Sequence, residues 1–126
     1  MKRVKMESRL VKFFESIEKA TYTNKISWED TSVIGLFQTN FSNTSLQIGF
    51  KEEYDEESES NNNRYYVKIV DYRGELIDSI TDSMLYSEYK EDRSIFKRIE
   101  NLYNEARRSA KGASGAIDAI ISEINL

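Results

Sequence analysis

The chain contains no cysteine and no histidine among its 126 residues. Without cysteine it can form no disulfide, no thiolate metal site and no cysteine nucleophile. Without histidine it lacks the usual general base near neutral pH and the commonest ligand of transition metals. Zinc fingers and serine–histidine–aspartate triads are therefore excluded. No other catalytic motif is present, so we expect a protein that is not an enzyme and that holds no metal and no cofactor.

Proline is also absent, and no stretch approaches the about 20 apolar residues that a membrane-spanning helix needs. Charged side chains interrupt the first 20 residues, which counts against a secretory signal. No linker composition divides the chain, and its length suits one ordinary domain. We therefore expect a single domain over residues 1–126, located in the cytoplasm and without membrane contact.

Excess positive charge is missing as well, because 22 acidic residues outnumber 18 basic ones and the net charge is −4. Proteins that bind nucleic acids are usually basic, so nucleic acid is not the expected partner. Hydrophobic residues make up only 39% of the chain. Eight tyrosines, six phenylalanines and one tryptophan nevertheless supply bulk for a folded core.

The first half of the sequence predicts one helix followed by strands. Residues 7–21 carry apolar side chains at the spacing of one helix face, namely Leu10, Phe13, Phe14 and Ile17. Residues 32–39 and 44–50 are typical of an antiparallel hairpin, and the second of these segments alternates apolar and polar positions. Residues 64–71 and 75–80 predict two more strands, which are joined by a turn at Gly74.

Residues 51–63 interrupt this strand pattern with six carboxylates and three consecutive asparagines. So little of the segment is apolar that we expect a flexible acidic loop. Carboxylates could bind Ca²⁺ or Mg²⁺, but the spacing of an EF-hand loop is absent, and a solvated charge run is the simpler interpretation.

The last third of the chain carries a helical apolar stripe from about residue 93 to the end, whereas residues 83–90 are ambiguous. Gly112 and Gly115 interrupt the stripe, so the segment is either one long kinked helix or two helices with Gly112 as a cap. The unbroken stripe favours the kinked helix. The predicted fold is α+β, an antiparallel four-stranded sheet covered on one face by the N-terminal helix and the long or kinked C-terminal helix.

Two groups of residues are candidates for function. Cations beside small residues, with tyrosines on nearby strands, could bind a nucleotide-like anion; these residues are Arg107, Arg108, Lys111, Ser114, Tyr65 and Tyr72. The alternative interpretation is that the cations line wet helix faces and the tyrosines serve packing. Three isoleucines of the last stripe could form an interface between copies of the chain; they are Ile117, Ile120 and Ile124.

Three motifs carry a resemblance: TYTNKISW at residues 21–28, YYVKIVDYRGELIDSI at 65–80 and LYNEARRSAKGASGAIDAIISEI at 102–124. Together they resemble a loose group of small uncharacterised prokaryotic proteins, some of them from phages. The resemblance implies the order helix, β-meander, helix and an accessory role, but no activity and no site residue.

The sequence therefore leads to two hypotheses about function. The first is a non-enzymatic interaction module that contacts a protein partner or, more simply, a second copy in a homo-oligomer. The second is a small-ligand binder that senses or sequesters a nucleotide-like anion, for example in phage counter-defence.

Overall fold

The structure is a computed structural model that describes residues 8–126. It has an α+β fold, as predicted, in which one antiparallel sheet has the strand order β1-β2-β3-β4-β5. The sheet has five strands where four were predicted, because a two-residue strand pairs at its edge. The elements in chain order are α1 (Arg9–Tyr22), β1 (Glu29–Asp30), β2 (Phe37–Asn40), β3 (Thr44–Asp55), β4 (Ser60–Asp71), β5 (Leu76–Thr81), α2 (Asp82–Glu88), α3 (Ser94–Ala110) and α4 (Ala113–Ile124).

The predicted first helix is confirmed as α1, although residue 7 lies outside the described part of the chain. Ser8 caps the helix by accepting a hydrogen bond from the Val11 backbone N–H at 3.5 Å. Phe14 and Ile17 are buried on the face that the apolar spacing predicted. Lys12 and Lys19 are exposed, so α1 is amphipathic in the expected sense.

The first predicted strand is shorter than expected, because residues 32–36 form a turn. Gly35 has a φ of 82°, and the Thr31 hydroxyl accepts a hydrogen bond from the Val33 backbone N–H at 3.1 Å. Local side-chain bonds of this kind compete with strand pairing. Strand β2 therefore begins only at Phe37, which pairs with Ile48 of β3.

The predicted loop at residues 51–63 is wrong, because most of this segment is paired strand. Lys51 lies opposite Arg64 and Asp55 opposite Ser60, so the β3–β4 hairpin continues to a four-residue turn at 56–59. The acidic arm faces an arm of three asparagines, which places Glu52 and Glu53 opposite neutral amides, so that no carboxylate lies opposite another. Backbone pairing thus extends the hairpin beyond the part that has a buried face.

The core lies between one face of the sheet and helices α1, α2 and α3. Helix α3 crosses strands β1 to β4 and buries its predicted stripe completely, with Ile95, Ile99, Leu102 and Ala106 at 1% exposure or less. Side chains from alternate strand positions meet it, among them Phe37, Ile48 and Val67. Most of residues 83–90, which were ambiguous in sequence, belong to the helix α2 (Asp82–Glu88).

The long kinked helix is also wrong, because α3 and α4 are separate helices. Gly112 lies between them with a φ of 63°, the left-handed conformation that ends many helices. Its backbone N–H donates to the Ser109 carbonyl at 3.2 Å, and its own carbonyl accepts from the Ala116 N–H at 2.9 Å. The isoleucine stripe of α4 therefore starts in a new direction and does not continue the buried stripe of α3.

Replacing Gly112 with alanine is expected to lower the free energy of unfolding by about 1 kcal/mol, because alanine is strained in the left-handed conformation. No atom lies within 4 Å of the added Cβ, so the cost comes only from the left-handed backbone. Gly115→Ala is the matched control, since Gly115 is helical and equally uncrowded, and it should instead favour α4 by up to about 1 kcal/mol. Urea denaturation of both variants measures the difference. Equal effects of the two substitutions would contradict a left-handed Gly112.

Candidate functional site

Helix α4 exposes a continuous apolar face, which we call the α4 stripe. Its four isoleucines are spaced i, i+3, i+4 and i+7, which puts them on one side of the helix, and they are Ile117, Ile120, Ile121 and Ile124. Each of them is between 48% and 76% exposed. Among the helices and strands of residues 8–126, α4 contacts α3 alone, and no residue of α4 is buried.

Helix α4 is also short for a helix that lies in water. Isolated helices of fewer than about 12–15 residues are marginal, and most helical stability in proteins comes from packing an apolar face. Helix α4 has 12 residues and includes Gly115, a poor helix former. At its C-terminal end, Asn125 caps the Ile121 carbonyl with both its backbone N–H and its side-chain amide. Within residues 8–126, helix α4 therefore gains packing stabilisation from α3 alone.

A second apolar surface lies between α1 and the end of the sheet, and we call it the α1 groove. It has a volume of about 400 Å³. Seven of its nine lining residues are apolar, and the set is Phe13, Ser16, Ile17, Ala20, Ile26, Phe41, Thr44, Leu46 and Ile69. The Ser16 hydroxyl donates to the Lys12 carbonyl at 2.7 Å, so it already has a partner. The sequence did not reveal this groove, because its walls come from four separate segments.

The open face of the sheet is polar and bonded to itself. Gln47 donates a side-chain hydrogen bond to Gln38 at 2.9 Å, and Gln38 donates to Asn40 at 2.8 Å. The Lys68 ammonium lies 4.7 Å from the centre of the Tyr66 ring. Because these groups already have partners, the open face offers little apolar area for docking.

The predicted anion-binding residues are only partly brought together. Arg108 and Ser114 line one cleft of about 220 Å³ near the start of α4, together with Gly112 and Gly115. Lys111 forms an ion pair with Asp30 at 2.9 Å. Arg107 is exposed and does not line that cleft.

The two predicted tyrosines lie elsewhere. Tyr65 is buried in the core, where its ring centre is 5.3 Å from that of Tyr103. Tyr72 is 78% exposed, and its hydroxyl accepts a hydrogen bond from the Arg73 side chain at 3.1 Å. Neither tyrosine lines the cleft beside Arg108, so the aromatic half of the predicted site is not assembled.

One basic residue of α3 is paired with carboxylates of α1. Arg98 pairs with Glu18, with an Nε–Oε2 distance of 3.1 Å, and its guanidinium lies 5.0 Å from the centre of the Tyr89 ring. The Tyr89 hydroxyl donates to Glu15 at 3.1 Å. Burial raises the pKa of Tyr89 to about 12; the charge of Arg98 opposes this and Glu15 adds to it. This network joins the three helices, so its charges serve the fold.

A polar cluster at the hairpin is likewise structural. Asp82 is 3% exposed, and its carboxylate accepts the Tyr65 backbone N–H at 3.1 Å. The Arg64 Nε atom lies 3.2 Å from Glu53 Oε2 and 3.8 Å from Asp82 Oδ1. Its Nη2 atom donates a hydrogen bond to the Ser83 hydroxyl at 3.0 Å. These bonds connect strand β4 to the start of α2.

Two carboxylates near the β4–β5 turn bond to nearby backbone N–H groups. Asp71 accepts the backbone N–H groups of Arg73 and Glu75 at 2.8 and 2.9 Å, which is the role of a turn residue. Asp78 accepts the N–H of its neighbour Ser79. Among residues 8–126, no three acidic side chains converge in a way that could hold a metal ion.

Comparison with known protein families, curated proteins and solved structures gives no match. The resemblance to small prokaryotic or phage proteins therefore stays a prediction. Over residues 8–126 no helix is both long enough and apolar enough to cross a membrane.

Proposed function

We propose that the chain is a non-enzymatic interaction module that associates with a second copy of itself through α4. The observation that carries this proposal is the α4 stripe, four isoleucines about half exposed or more on a helix that, within residues 8–126, contacts α3 alone. Isolated exposed apolar residues are common on proteins, but a contiguous apolar face usually marks an interaction site. Burying such side chains contributes about 1.5–3 kcal/mol each when burial is complete.

Self-association is the simplest way to cover this face. A second copy carries the same uncovered stripe, and closed twofold assemblies are the commonest soluble oligomers. The paired polar groups of the open sheet face do not offer an alternative apolar interface. The lack of cysteine and histidine and the structural use of Asp71 and Asp82 favour a binding role over catalysis.

Sedimentation velocity of wild type and of Ile120→Gln tests the proposal. Glutamine keeps helix propensity while removing apolar area, so the variant should dissociate at concentrations where wild type is dimeric. Ile34→Gln is the matched control, because Ile34 is fully exposed on the 31–36 turn, far from α4 in sequence. A wild type that is monomeric at every concentration would overturn the proposal, as would equal dissociation of both variants.

A second candidate is a module that binds a small anion, and the cleft that brings Arg108 and Ser114 together favours it. Backbone N–H groups at the start of α4 would add to the positive charge of the guanidinium. Native mass spectrometry of gently purified protein tests this candidate. A stoichiometric adduct that is lost in Arg108→Gln would support it. If no adduct forms with added phosphate or nucleotide, it is rejected.

A further inference from the structure

We infer that the α4 stripe of one copy docks into the α1 groove of a second copy, an inference that rests on the proposed self-association. The two surfaces share the same chemistry. The stripe consists of isoleucines, and the groove is lined mainly by apolar side chains, with Phe41 half exposed at its rim. The hydroxyl of Ser16 already donates a hydrogen bond within α1, so an apolar helix can cover it without leaving its donor unpaired.

Interface area favours this arrangement over a simple pair of α4 helices. A 12-residue helix offers a face about 18 Å long and about 10 Å wide. A stable complex buries about 800 Å² on each partner, so one stripe against another is too small. In a reciprocal exchange each copy contributes one stripe and one groove. The exchange therefore buries roughly 360 Å² of flat face on each copy, about twice the area of one stripe pair, and the concave walls of the groove add to this area.

Charge complementarity points to the same pairing. Helix α4 carries Asp118 and Glu123 and no basic residue. The exposed side of α1 next to the groove carries Lys12 and Lys19, and neither forms an ion pair with any residue in 8–126. A helix with acidic flanks that is seated beside α1 would therefore meet positive charge at the rim.

The competing edge of the sheet is protected. Strand β5 is an edge strand and exposes Leu76 and Ile77, so it could in principle pair with another strand. Asp78 sits on the same side of β5 as buried Ile80, and an inward charge of this kind is a common device against edge pairing. The four isoleucines of the α4 stripe include no such charge, whereas in the α1 groove Asp78 lies opposite Ile69 at one wall.

Paired substitutions in the groove test the inference without touching α4. Ser16→Glu puts a carboxylate into the groove, and Ser87→Glu makes the same change on an exposed site of α2. Phe41→Ser removes the aromatic rim, and Tyr72→Ser removes an exposed aromatic at the β4–β5 turn. We expect the two groove variants to raise the dimer dissociation constant about tenfold or more and the two controls to leave it unchanged.

Crosslinking gives a second measurement, which detects proximity directly and is made at a protein concentration well above the dissociation constant, because both cysteine substitutions weaken the contact. Because the chain has no cysteine, each introduced cysteine reports a single position. Chains with Phe41→Cys mixed with chains with Ile120→Cys should become joined by a short thiol crosslinker. Ile120→Cys alone should stay mostly unlinked, because each stripe faces a groove and not the other stripe.

The outcomes separate this inference from the proposed function. A dimer that depends on Ile120 but is insensitive to both groove variants, with Ile120→Cys crosslinking to itself, would overturn the groove and leave self-association standing. A monomeric wild type would overturn both. Loss of dimer in the groove variants together with the mixed crosslink would establish the exchange.

Discussion

Leu102→Ala is expected to lower the free energy of unfolding by about 3 kcal/mol, within the range of about 2–5 kcal/mol for such truncations. Leu102 is completely buried at the centre of α3. It belongs to the same core cluster as Ile48 and Val67, so the smaller side chain leaves a cavity under the sheet. Urea denaturation at one fixed protein concentration, followed by the fluorescence of buried Trp28, measures the change.

The matched control is Leu76→Ala, because Leu76 is 59% exposed on β5. It should change stability by no more than about 0.5 kcal/mol. Holding protein concentration fixed matters, because self-association adds its own stabilisation. If the two truncations cost the same, the helical layer would not be seated on the sheet as described.

Asp82→Ala is expected to cost about 2 kcal/mol, through the loss of a buried acceptor. The substitution leaves the Tyr65 backbone N–H without its partner in the interior. It also removes the negative charge from the first turn of α2 and leaves Arg64 with one carboxylate neighbour fewer. Thermal and urea unfolding should both report the loss.

Asp82→Asn separates the hydrogen bond from the charge. The asparagine carbonyl can still accept the Tyr65 N–H, so this variant should lose clearly less stability than Asp82→Ala. Asp78→Ala removes an exposed carboxylate on the neighbouring strand and should stay within about 0.5 kcal/mol of wild type. Equal losses in the two Asp82 variants would show that charge, and not the buried hydrogen bond, is what matters.

The candidate interface was only half visible in the sequence. The isoleucine spacing of residues 117–124 marks an apolar helix face, and periodicity alone cannot say whether that face is buried within the chain or exposed. Phe41 and Ser16 gave no signal at all, because they line one groove only after a β-turn and a helix are brought together. The predicted group of cations and tyrosines is not brought together for a similar reason, since Tyr65 is buried in the core.

The elements that could be predicted from the amino-acid pattern are those whose cause lies within a few neighbouring residues. Helices α1 and α3 and strand β3 each bury one face. Their apolar residues therefore recur with the period of a helix or of a strand, and this period can be seen in the sequence. The ability of Gly112 to adopt a left-handed backbone is also a local property. It is compatible with a kink and with a helix end, so the sequence did not distinguish the two.

Features that depend on residues far apart in the chain became visible only in the folded molecule. The hairpin over residues 51–63 exists because each backbone group in one arm finds its partner in the other arm, and composition does not record that pairing. Helices α1, α2 and α3 cover one face of the sheet. Helix α3 ends just before Gly112, so α4 lies outside the core. Periodicity tells which face of a helix avoids water, whereas only the packing of the whole chain tells whether anything is there to cover it.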